Sequence, residues 1–206
     1  MAALLLAGFC LAGDAPLVID DFEAGLRPGW EVKRFKGETS YTVVPEGSGR
    51  VLRAESNGSA SGLLFKIDYD PLQYPVLSWR WKVAGVIANG DETRREGDDY
   101  AARVYVVFPH WFPPKTRSIN YIWANQLPKG RHVPNPFFAN AVMVAIESGP
   151  EGAGRWVSER RNVAEDFRAI FGGAPPRAGA VALMTDTDNT GARAVAWYDD
   201  LRLEQR

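Results

Sequence analysis

Short runs of alternating apolar and polar residues recur along this chain, each closed by a turn containing glycine or proline. Runs at residues 17–23, 30–35, 41–44, 51–54, 63–67 and 75–83 are separated by turns such as Pro28-Gly29, Pro45-Glu46-Gly47-Ser48-Gly49 and Asp70-Pro71. Alternation with period two marks a strand with one buried face, and glycine and proline punctuate the connections. Further runs at 97–108, 118–123, 140–147, 180–185 and 194–203 extend the pattern. Such spacing predicts a sandwich or barrel instead of alternating βα units. The expected fold is an all-β, jelly-roll-type sandwich, galactose-binding-like or concanavalin-like, with roughly ten to twelve strands. One helix interrupts the pattern near residues 162–171: Asn162 suits an N-cap, Glu165 follows three residues on, and Gly172-Gly173 closes the far end. Val163, Phe167, Ile170 and Phe171 form its apolar stripe, with Asp166 and Arg168 expected to face out.

The stretch Gly97-Asp98-Asp99-Tyr100-Ala101-Ala102-Arg103-Val104-Tyr105-Val106-Val107-Phe108 reads as a strand entered through two adjacent carboxylates. Alternation puts Tyr100, Ala102, Val104, Val106 and Phe108 on one face, and Ala101, Arg103, Tyr105 and Val107 on the other. In Leu77-Ser78-Trp79-Arg80-Trp81-Lys82-Val83 the apolar residues again share a face, opposite Ser78, Arg80 and Lys82. Were the two strands neighbours, Arg80 and Arg103 would lie on one surface, with Asp98, Asp99, Glu147, Asp186 and Asp188 as candidate counter-ions. A wet sheet surface with incidental ion pairs uses the same residues.

The 206 residues fit one domain, and 24 Lys plus Arg balance 25 Asp plus Glu. No general attraction to nucleic acid follows from that balance. Seven Trp, seven Tyr and ten Phe favour strands and also suit binding to the flat apolar faces of sugar rings. The first dozen residues are apolar and uncharged, too short to span a bilayer but of signal-peptide length, although a basic leading segment is missing. Residues 1–15 are expected to be a signal peptide and 16–206 a single exported, periplasmic domain. The one cysteine, Cys10, lies in that leader. A processed chain would therefore contain no disulfide and no thiol catalyst.

Two acidic groups suit a cation. Asp186-Thr187-Asp188-Asn189-Thr190-Gly191 resembles the start of a calcium loop, but lacks its downstream acid and precedes a strand, so a simple Asx-rich turn is the favoured reading, with Asp186 and Asp188 kept as ligand contacts. Asp21 and Glu23 near the start, with Asp199 and Asp200 near the end, could hold a structural calcium if the chain termini pair. His110 and His132 lack metal-ligand spacing, and no nucleophile elbow is present.

Asp20 to Glu23, Trp79-Arg80-Trp81, Gly97 to Phe108, Asn120 to Asn125, Asp186 to Gly191 and Trp197 to Leu201 together resemble the domain of unknown function family 3047, exported bacterial proteins. The resemblance implies an envelope location and brings no catalytic residues. The expected function is non-catalytic binding of a carbohydrate or other polar ligand. Arg80, Asp98, Asp99, Arg103, Tyr105, Trp123, Asn125, Asp186, Asp188 and Asn189 are the candidate contacts. Alternatives are an envelope glycan hydrolase or lyase using an Asp pair, and a structural domain contacting a protein partner.

Overall fold

Alternation along one strand shows how this sequence builds a layer. In Val76–Val83, Leu77, Trp79, Trp81 and Val83 are buried while Ser78, Arg80 and Lys82 point the other way. The computed structural model describes residues 15–205. Its strands are β1 (Leu17–Asp20), β2 (Trp30–Lys36), β3 (Ser40–Glu46), β4 (Gly49–Asn57), β5 (Ala60–Tyr69), β6 (Val76–Val83), β7 (Arg103–Phe108) and β8 (Arg117–Ala124). Then come β9 (His132–Pro134), β10 (Ala141–Ser148), β11 (Val157–Asn162), the helix α1 (Val163–Phe171), β12 (Ala178–Asp186) and β13 (Arg193–Glu204).

These form two sheets. One runs β11-β6-β13-β4-β3, with β1 also on β13; the other runs β2-β5-β12-β7-β8-β10-β9. Pairing is antiparallel except between β8 and β10. The chain crosses repeatedly between the sheets, as a jelly roll does, and their inner faces enclose one core. Aromatic rings bridge it: Trp79 stacks on Tyr121 at 5.4 Å, and Trp81 meets Trp123 at 5.9 Å. Full burial stabilises each such side chain by about 1.5–3 kcal/mol. The sandwich with one packed helix is the expected fold.

Details differ from the sequence reading. Residues 98–102 are irregular and β7 begins only at Arg103. Broken alternation sends Tyr100 to the outer face, into a small cluster with Ile122, Ala124, Met143 and Ala145, while Ala101 joins the main core. Strands β9 and β11 occupy segments with no clean apolar alternation. The Asn162 side chain does cap α1, accepting the Glu165 N–H at 3.0 Å. Asp166 does not simply face out: it accepts the Tyr121 hydroxyl at 2.8 Å and pairs with Arg161, tying the helix to the end of the sandwich. The termini meet, with Leu17 opposite Leu203 and Asp20 opposite Leu201. The expected leader lies outside the described residues apart from Ala15.

Candidate functional site

The outer face of the seven-stranded sheet has two polar segments folded over it. Residues 91–99 make a tight loop in which Gly97 is required by space. A Cβ there would stand 2.5 Å from the Asp91 backbone nitrogen. The loop delivers Asp98 and Asp99 to the mouth of β7. Asp99 is buried and accepts the N–H groups of Asn189 at 3.2 Å and Thr190 at 2.6 Å, which fastens the 98–102 segment to the turn after β12. Asn125 braces the same segment: its amide donates to the Asp99 carbonyl at 2.8 Å and its Oδ1 accepts from Ile87 N at 2.9 Å. Buried Glu92 accepts the backbone N–H groups of Asn125 at 2.5 Å and Leu127 at 3.0 Å.

Arg103, the first residue of β7, is 5% exposed. Its Nε donates to Asp186 at 2.8 Å, a second guanidinium nitrogen pairs with the same carboxylate, and its plane lies 4.3 Å over the Tyr100 ring. Burial opposes its charge, but the surrounding groups, with the Asp98 and Asp99 carboxylates among them, outweigh that effect and shift it upward. Burial, and then the Asp99 charge, raise the Asp188 carboxyl above its ordinary value. Asp99, Asp186 and Asp188 each offer an oxygen within 4.8 Å of the others, a spacing that can hold a metal ion. Arg103 already supplies a positive charge there.

These groups form the polar end of a cleft of about 530 Å³. Tyr105, Met184, Ala60 and Ser118 line its floor, with the Tyr105 hydroxyl on the Met184 sulfur at 3.1 Å. Three phenyl rings stand in its walls and remain in solvent: Phe35 on β2 at 62% exposure, and Phe137 and Phe138 before β10 at 55% and 41%. Asn135 couples wall to polar end. Its Oδ1 accepts the N–H of Phe137 at 2.9 Å and of Phe138 at 3.1 Å, while its amide donates to Asp98 at 2.7 Å.

Of the residues expected from sequence, Asp98, Arg103, Tyr105, Asp186, Asp188 and Asn189 line this cleft. Asp99 and Asn125 support it from behind. Arg80 and Arg103 do not share a surface, because β6 and β7 belong to different sheets. Arg80 lies on the opposite outer face, paired with Asp199 and Asp200 and set over Trp156 at 4.9 Å. Trp123 is turned into the core, where its Nε1 donates to Gly149 O at 3.0 Å. The terminal acids have partners of their own: Asp21 accepts from Glu23 N at 3.3 Å, Glu23 accepts from Arg50 N at 3.2 Å, and Asp199 and Asp200 both hold Arg80. Among the described residues, Asp21, Glu23, Asp199 and Asp200 form no three-ligand group.

Sequence reasoning missed Phe35, Asn135, Phe137 and Phe138. Phe137 and Phe138 had left a trace: two adjacent aromatics after Pro134-Asn135-Pro136, where no strand alternation could bury both.

No curated protein matches this chain. Among solved structures, the family 30 carbohydrate-binding module of a Clostridium thermocellum cellulosomal cellulase is similar at 11% identity, over 92% of each chain, with TM-score 0.47. A non-crystalline-cellulose-specific module, CBM28, matches at 16% identity over 89% of this chain and 91% of its own, with TM-score 0.46. The xyloglucanase domain of NopAA from Sinorhizobium fredii, in complex with cellobiose, matches at 8% identity over 87% of this chain and 94% of its own, with TM-score 0.48. The model of the family described as "protein of unknown function (DUF3047)" matches residues 28–202, and the chain belongs to that family.

Proposed function

We propose that this protein is a non-catalytic glycan-binding domain whose site is the phenylalanine-walled cleft on the seven-stranded sheet. The observation that supports the reading most is the combination in one cleft of exposed Phe35, Phe137 and Phe138 with Asp98, Asp188 and Asn189. Phenyl faces match the C–H faces of pyranose rings, while carboxylates and amides accept and donate to ring hydroxyls. Export to the periplasm or envelope belongs to the same proposal and rests on the apolar start of the sequence.

The state of the carboxylates favours binding over hydrolysis or elimination. Acid–base cleavage needs two carboxyl groups free to exchange protons on either side of a bond. Here Asp186 is held by Arg103, Asp99 is saturated by backbone N–H groups, and Asp98 accepts from Asn135 and Tyr100. Of these cleft acids Asp188 has the weakest partners, its side-chain hydrogen bond among the described residues coming from the Asn189 amide at 3.3 Å. A cation at Asp99, Asp186 and Asp188 would be structural on this reading.

Calorimetric titration with a panel of neutral and acidic oligosaccharides tests the proposal. Phe137 and Phe138 are exposed, so Phe137→Ala with Phe138→Ala should alter stability by less than about 1 kcal/mol. It should weaken the best glycan by about tenfold or more, since each aromatic contact contributes about 0.5–1.5 kcal/mol beyond its buried area. Full affinity in that double variant, or release of new reducing ends by the parent, would contradict the reading.

A further inference from the structure

At one end of the seven-stranded sheet, beside the cleft's rim, the loop between β7 and β8 presents Trp111 at 89% exposure and Phe112 at 46%. This tip is built to stay in solvent. Prolines 109, 113 and 114 restrict the backbone, a single 3₁₀ turn spans Pro113–Lys115, and the His110 ring accepts the Phe112 N–H at 3.0 Å. Because β8 and β10 are parallel, the loop before each enters from the same end. Asn140 joins the two loops, donating to Pro114 O at 2.9 Å and accepting from Ser118 N at 3.0 Å.

The charge around the tip is one-sided. Residues 109–117 contain no aspartate or glutamate, yet include Lys115 and Arg117 beside His110. A pocket of about 460 Å³ at the base of the tip is lined by His110, Lys115, Arg117 and Asn140 over Phe108 and Pro109. Arg117 lies over the Phe171 ring at 5.1 Å, and neither it nor Lys115 pairs with a carboxylate among the described residues.

We propose that this end of the sandwich docks on an anionic phospholipid bilayer, with Trp111 and Phe112 entering the interface and the pocket at their base taking a lipid phosphate. Trp is the residue most at home where acyl chains meet headgroups, and an anionic leaflet attracts lysine and arginine within a Debye length. The shape selects the occupant. A convex aromatic tip cannot enclose a saccharide, which the concave cleft beside it can, but a bilayer accepts a convex tip. The docked orientation would hold the cleft's Phe137 and Phe138 rim close to the membrane plane.

Vesicle flotation of the full chain tests this. The probes are phosphatidylcholine vesicles with and without about one-quarter phosphatidylglycerol. Residues 2–9 are themselves apolar and uncharged, so the readout is the difference between parent and variants. Trp111→Ala with Phe112→Ala should lower partitioning onto phosphatidylglycerol vesicles by about tenfold, while leaving the thermal midpoint and any glycan affinity unchanged. Lys115→Ala should lower it by about fivefold at low salt and less at high salt. Equal partitioning of parent and double variant would overturn the proposal. So would equal binding of the parent's tip to phosphatidylcholine alone, or a preference for soluble dextran sulfate over vesicles that the aromatic pair does not affect.

Discussion

Arg103 is the residue on which the polar end of the cleft turns. Its guanidinium and the Asp186 carboxylate are both out of water, so each is tolerable only because of the other. Arg103→Met should cost about 3–5 kcal/mol in urea unfolding, because Asp186 is left charged and buried. Adding Asp186→Leu should recover most of that loss, as replacing a whole buried pair with apolar groups is commonly neutral or stabilising. A double variant no more stable than the single would show that the pair is not the unit that matters. For the same reason Arg103→Ala is a poor probe of binding, and the exposed phenylalanines are better ones. Much of this was legible: a cation beside a phenol on an otherwise apolar strand, with spare acids in two loops, already marked the face. Which acid answers which arginine was not, because pairing depends on the sheet to which each strand belongs, and β6 and β7 read alike.

At the scale of elements, one loop and one edge behave predictably. Gly97→Ala must displace the Asp91 backbone, which lies 2.5 Å from the new Cβ. The shift would carry Asp98 and Asp99 with it, so glycan affinity should fall in this variant even though position 97 lines no part of the cleft; unchanged affinity would separate the loop from the site. At the far edge, between β10 and β11, Glu159 accepts from the Trp81 indole at 3.3 Å and faces Glu147, which is paired with Lys129. Burial and then the Glu147 charge push the Glu159 carboxyl from 4.5 up to about 7. A carboxyl raised in the folded state contributes stability that is fully present below pH 4.5 and lost as pH rises through 7. Glu159→Gln should therefore gain on the parent in urea midpoint as pH rises through that window; parallel profiles would contradict it. Neither β9 nor β11 announced itself in sequence. His132–Pro134 is three residues long, and Val157–Asn162 carries three consecutive charged residues at an edge where no full apolar face is needed. The helix was readable because a cap, an amphipathic stripe and a terminal glycine agree at one place.

The whole molecule presents two outward faces with different characters. The face of the six-stranded sheet around Arg80 has a pocket of about 420 Å³ whose cation is paired with Asp199 and Asp200 and set over Trp156. The other sheet leaves phenyl rings and a weakly partnered Asp188 facing open space. The two-layer architecture was legible because turn signals and alternation are local, whereas the choice of functional face depends on loops that meet only after folding. Hydrogen–deuterium exchange with the best-binding oligosaccharide of the panel tests that choice most directly. Added protection is expected in residues 33–36, 98–105, 135–141 and 184–189, with none around Arg80 and Trp156. Protection confined to the Arg80 face, with the cleft segments unchanged, would contradict it.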